Sequence, residues 1–106
     1  MIINIAKDFS KYPGGRYLTD GKQSAQRFRD DFLVPTLKEC PDITVEMDGT
    51  LGYPSSWLEE AFGGLVRVYG FTPLFLQKTL TFTGYCEGDV AEIWQFIREA
   101  GEGNEN

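Results

Sequence analysis

Histidine is absent from this 106-residue chain, which removes every mechanism that uses imidazole as a general base or metal ligand. Cysteine is scarce too. Cys40 and Cys86 stand far apart and form no C-x-x-C pair, so a structural zinc site is not expected and both read as reduced, partly buried thiols. Positive charge is in deficit: ten Lys and Arg against sixteen Asp and Glu give a net charge of −6. That sign does not suit the phosphate backbone of a nucleic acid, though it suits solubility or a basic protein partner. No apolar run approaches the roughly 20 residues of a membrane span. The start Met1-Ile2-Ile3-Asn4-Ile5 lacks the basic lead, apolar stretch and cleavage site of an export signal. A cytoplasmic protein that binds neither membrane nor nucleic acid is expected. The phosphate-binding fingerprints G-x-x-x-x-G-K-S/T and G-x-G-x-x-G are missing as well, so no cofactor is expected.

What remains is apolar enough to fold, with 42% hydrophobic and 14% aromatic residues, and the length suits a single domain. Ile3 and Ile5 flank Asn4 as in a short strand. Pro13-Gly14-Gly15 turns into a second strand at Arg16-Tyr17-Leu18, and the two are expected to form a hairpin. After Asp20-Gly21 comes a helix with Ala25, Phe28 and Phe32 on its buried stripe. Arg27, Arg29, Asp30 and Asp31 lie on its wet side, and a kink or restart is expected at Pro35.

The alternating, β-branched run Ile43-Thr44-Val45-Glu46-Met47 is the best strand in the sequence. A second helix follows from Ser55 or Ser56 to about Tyr69, with Leu58, Phe62, Leu65 and Tyr69 on the buried stripe. Leu80 and Phe82 alternate with threonines in another strand, preceded by an extended piece at Leu74 to Leu76. Asp89, with Glu92 three residues on, caps a last helix that Gly101 ends. The order predicts an α/β domain over residues 1–101, a four-stranded mixed sheet with three main helices chiefly on one face, and a disordered tail over 102–106.

Chemistry concentrates between Met47 and Tyr69. A strand-loop-helix joint presents free N–H groups and the positive end of a helix dipole, and Ser55 and Ser56 stand there. One serine can serve as N-cap, with Glu59 or Glu60 in the first turn, while its neighbour accepts a phosphate. Gly63-Gly64 inside the helix needs an offsetting close approach, either to the protein's own elements or to a partner helix. Trp57 lies off the stripe, and two readings are open: an exposed anchor for a partner, or a ring tucked under the preceding loop. Asp30-Asp31 and Glu59-Glu60 are sequence neighbours that diverge on a helix and do not form an acid/base pair. No catalytic residues and no metal ligands are expected.

Met47-Asp48-Gly49, followed by Ser55-Ser56-Trp57-Leu58-Glu59-Glu60-Ala61-Phe62-Gly63-Gly64-Leu65-Val66-Arg67, resembles the signature of the STAS-like family of unknown function. Arg16, Asp20-Gly21, Ser24, Phe28-Arg29 and Leu33-Val34-Pro35 fit it also. That family is similar to the STAS domains of bacterial anti-sigma-factor antagonists. In those, a strand leads to Asp-Ser-Ser-Gly at a helix start, and a histidine-kinase-type ATPase phosphorylates the first serine. The resemblance implies a STAS-like fold and a non-enzymatic regulatory role. It matches Ser55 to the phosphorylated serine and Ser56 to the one after it, with Pro54 in place of the Asp and Trp57 in place of the Gly. The implied partner is a protein, such as that ATPase, docked on Tyr53, Ser55, Ser56, Trp57, Glu60, Gly63 and Gly64. An acidic inhibitor or phage-defence-related protein that blocks a basic surface is the alternative, supported by the net charge.

Overall fold

A computed structural model describes residues 1–84 and 86–103. Three strands, β1 (Ile2–Asn4), β2 (Ile43–Glu46) and β3 (Leu80–Thr83), form one parallel sheet in that order. Parallel neighbours need long crossovers. Helix α1 (25–39) links β1 to β2, α2 (55–67) and α3 (Pro73–Thr79) link β2 to β3, and α4 (Glu87–Gly103) follows.

The register puts Ile3, Val45 and Phe82 in one row, with Ile2, Thr44 and Thr81 in the next. Because side chains alternate faces, the first row enters the core with Ile43 and Met47. Ile2, on the opposite face, stays 60% exposed. Phe28 and Leu33 from α1, Trp57, Leu58 and Phe62 from α2, and Ile93 and Ile97 from α4 complete one buried cluster. The helices therefore pack chiefly on one face, as expected. Among the described residues no helix is long and apolar enough to cross a membrane.

Several expectations are corrected. The sheet has three parallel strands, not four mixed ones, because Arg16-Tyr17-Leu18 forms no strand. The Asp20 carboxylate accepts the N–H groups of Arg16 and Tyr17. The carbonyls of Gly15 and Arg16 accept from Ala25 and Gln26 at the start of α1. With Gly15 at φ +84°, the segment folds back on that helix and closes with a 3₁₀ turn over Leu18–Asp20.

Helical segments outnumber the three expected: a π-type turn over Ile5–Phe9 precedes α1, and α3 occupies the place of the extended piece at Leu74 to Leu76. The Thr72 hydroxyl accepts from the Phe75 N–H and Pro73 takes the first position of α3, so a capped start was available there. At Pro35 α1 makes the expected restart, α-type bonding resuming at Val34 with the proline in that first turn. The helix widens into π-type bonding over Arg29–Leu33, which relieves the proline ring of the carbonyl one turn back. α4 starts at Glu87, two residues before Asp89, with Val90 donating to the Cys86 carbonyl. It continues past Gly101 through Gly103, and 104–106 of the expected tail lie outside the described residues.

Candidate functional site

β2 delivers the chain into a loop whose shape depends on Gly49, at φ +101°. A Cβ at Gly49 would also sit 2.9 Å from the Ala6 side chain. Leu51 donates its N–H to the Lys11 carbonyl at 2.9 Å, which ties the loop to the segment after β1. The Tyr53 hydroxyl reaches inward and donates to the Met47 carbonyl at 2.6 Å. Burial, assisted by Asp89 and Asp48, pushes that phenol up to about 12. Between the two tied segments lies a shallow apolar groove of about 380 Å³ lined by Tyr12, Pro13, Leu51, Gly52, Tyr53 and Pro54. Leu51 is 82% and Tyr12 61% exposed there.

At the helix start the N-cap is Pro54, in extended conformation and without a side-chain cap. Its carbonyl accepts from Trp57 and Leu58. Neither serine is therefore the N-cap, because the fixed φ of Pro54 places the cap one residue earlier. Ser55 and Ser56 are exposed in the first turn, and the Ser55 hydroxyl donates instead to Glu92 on α4 at 2.8 Å. Asp89, one turn before Glu92, has its carboxyl raised above the ordinary value, by burial first and by Glu92 second.

The rest of the expected docking set points inward. Trp57 is fully buried, its ring 5.3 Å from Phe28 and 5.7 Å from Tyr53, and its N–H donates to the Gln23 carbonyl at 2.8 Å. It is the tucked ring, not an exposed anchor, because the 14–23 loop lies over it and satisfies its donor. Gly63 and Gly64 are buried too, and a Cβ at Gly64 would collide with the Arg29 guanidinium. The close approach at Gly64 is thus to α1, whereas a Cβ at Gly63 would meet the Glu59 and Arg67 side chains of α2 itself.

Arg29, expected on the wet side, is 4% exposed. It donates to the Glu60 carboxylate at 2.5 Å and to the Glu60 carbonyl at 3.0 Å. Glu60 is 4% exposed and also meets Arg16 and Arg67, each at 3.3 Å. Glu59 binds Arg16 at 2.5 Å and pairs with Arg67. Burial alone would raise the Glu59 carboxyl, but the hydrogen bonds from the two arginines outweigh it and hold the group below its ordinary range. Tyr69, expected on the buried stripe, is 40% exposed and donates to Asp30 at 2.7 Å.

Of the expected docking set, only Tyr53, Ser55 and Ser56 therefore share an accessible surface. The structure adds Tyr12, Leu51, Asp89 and Glu92 to it. A Tyr-Pro pair ahead of two glycines and a lone leucine between loop glycines are weak signals of exposure, and the capping interpretation of Asp89 concealed the acidic pair. The family model described as a STAS-like domain of unknown function matches residues 24–88, from the Ser24 that caps α1 to the first turn of α4. No curated protein and no solved structure matches the chain.

Proposed function

Because the chain belongs to the family of STAS-like domains of unknown function, we propose that it is a non-enzymatic regulatory module that binds a protein partner at the Ser55 end of α2. A histidine-kinase-type ATPase is the partner, and Ser55 is the residue it phosphorylates. The carrying observation is that the Ser55 hydroxyl stands exposed at the first position of α2, directly after the groove-lining Pro54. The helix dipole favours a phosphate at this place. A phosphate would also turn the hydrogen-bond donor facing Glu92 into a dianion, exchanging an attractive contact between α2 and α4 for a repulsive one. Modification would thus alter the surface beside the groove without unfolding α2. A role without turnover agrees with the lack of histidine and with the engagement of Glu59 and Glu60 by arginines.

The test is to incubate the purified chain with the ATPase encoded nearest its gene and Mg-ATP, then locate phosphate by fragmentation mass spectrometry. One phosphate on Ser55, absent from Ser55→Ala, is expected. No phosphate, or phosphate on another residue with Ser55 unmodified, would overturn the assignment. Binding that falls steeply with salt and is indifferent to Ser55→Asp would favour the charge-driven inhibitor instead.

A further inference from the structure

Two half-buried carboxylates at the Ser55 end are treated differently from those at the seam of α1 and α2. Glu59, Glu60 and Asp30 each meet an arginine. Asp89 and Glu92 lie one turn apart on α4, both half-buried, and among the described residues neither has an ion-pair partner. Burial first, and repulsion from Glu92 second, raise the Asp89 carboxyl. Glu92 holds the Ser55 hydroxyl, one residue from the groove-lining Pro54. Asp89 lies close enough to the groove-lining Tyr53 to raise its phenol further. No group of three His, Cys, Asp or Glu residues among those described could hold a metal ion, so these charges do not mark a metal site. An apolar trough with a negative rim complements a polypeptide that offers an apolar side chain and, close by, a cationic one.

Resting on the docking surface proposed above, we infer that its occupant is an extended partner segment. In that segment an apolar side chain enters the groove between Tyr12 and Leu51, and an adjacent arginine or lysine meets Asp89 and Glu92. The apolar contact removes exposed Leu51 and Tyr12 surface from water. The cation relieves the repulsion between the two carboxylates. Each half has a separable consequence: the first tolerates salt, and the second weakens with it.

Selection of random twelve-residue displayed peptides on the full chain tests this, followed by chemical-shift mapping of the winning peptides. Peptides carrying Arg or Lys beside Leu, Met or an aromatic residue, with shifts centred on Tyr12, Leu51 and Tyr53, are expected. Their affinity should drop about tenfold in Asp89→Asn/Glu92→Gln, which keeps side-chain shape and the Glu92 acceptor for Ser55. It should fall similarly in Leu51→Ser, with thermal melts confirming that both variants stay folded. Peptides that map to the groove without a basic residue, or that bind the Asp89/Glu92 variant as well as the parent, would overturn the cationic occupant and leave docking at the Ser55 end standing. Peptides that map elsewhere, or a selection that yields none, would overturn both.

Discussion

Two pairs of acidic residues on neighbouring helices meet opposite circumstances. Glu59 and Glu60 on α2 are gripped by Arg16, Arg29 and Arg67. Asp89 and Glu92 on α4 are left facing each other beside the Ser55 hydroxyl. The first pair occupies the seam where α1 packs on α2, and Gly64 is small enough to admit the Arg29 guanidinium. A buried ion pair adds little net stability over an apolar contact, but once in place it cannot lose one member cheaply. It therefore fixes how α1 sits on α2. The second pair makes no such internal connection apart from the Ser55 hydrogen bond, and the repulsion it retains is a small cost to the fold. Charge that the protein neutralises itself serves architecture. Charge left unneutralised next to an apolar groove is available for recognition.

The largest effect should come from breaking the architectural pair. Glu60→Ala leaves the buried Arg29 guanidinium with Asp30 as its remaining carboxylate, and should cost about 3–5 kcal/mol in a urea melt. Replacing both partners with apolar residues, Arg29→Met with Glu60→Leu, should recover most of that loss. If Glu60→Ala is neutral, the seam is not the structural pair described here.

A smaller effect of opposite sign separates the two regions by pH. The folded-state carboxyl of Glu59 lies below its ordinary 4.5, so its contribution is present above that value and lost as the pH falls through the folded one. Asp89 lies above its ordinary 3.8, so its contribution is complete below that value and lost as the pH rises through the folded one. At pH 7 Glu59→Gln should therefore melt lower than the parent and Asp89→Asn slightly higher. Both differences should shrink at pH 3, and a stabilising Glu59→Gln or a destabilising Asp89→Asn at pH 7 would remove the distinction.

Much of the frame was legible in the sequence. The alternation of Ile43 to Met47 gives β2, and the spacing of Leu58, Phe62 and Leu65 gives the buried side of α2. The serine-rich start of α2 stood out for the same reason, since it breaks an apolar pattern at a helix boundary. Strand direction was not legible, because alternation is the same in parallel and antiparallel pairs. Arg29 was misplaced because helical spacing assigns charged residues to water unless a partner is known. That partner, Glu60, comes from another helix, and Gly64 was the sequence trace of the space Arg29 needs. Trp57 was ambiguous because the loop that covers it is held by tertiary hydrogen bonds such as Gly14 to Gln23. The groove was invisible, since Tyr12 and Leu51 belong to separate loops joined through the Leu51 to Lys11 bond.

A second apolar surface offers the sharpest contrast to the Ser55 end. At the other end of α2, Val66, Gly70, Phe71, Pro73, Leu74 and Gly101 line a hollow of about 470 Å³, and Leu74 is 61% exposed there. There the helix start is capped by Thr72 rather than opened by a serine, and among the described residues no carboxylate lines the hollow. Amide hydrogen exchange of the chain, free and saturated with the proposed ATPase partner, distinguishes the two surfaces in one measurement. Docking at the Ser55 end predicts new protection at 11–13 and 50–56 with 68–75 unchanged. Protection gained at 68–75, with 11–13 and 50–56 exchanging as in the free protein, would contradict it.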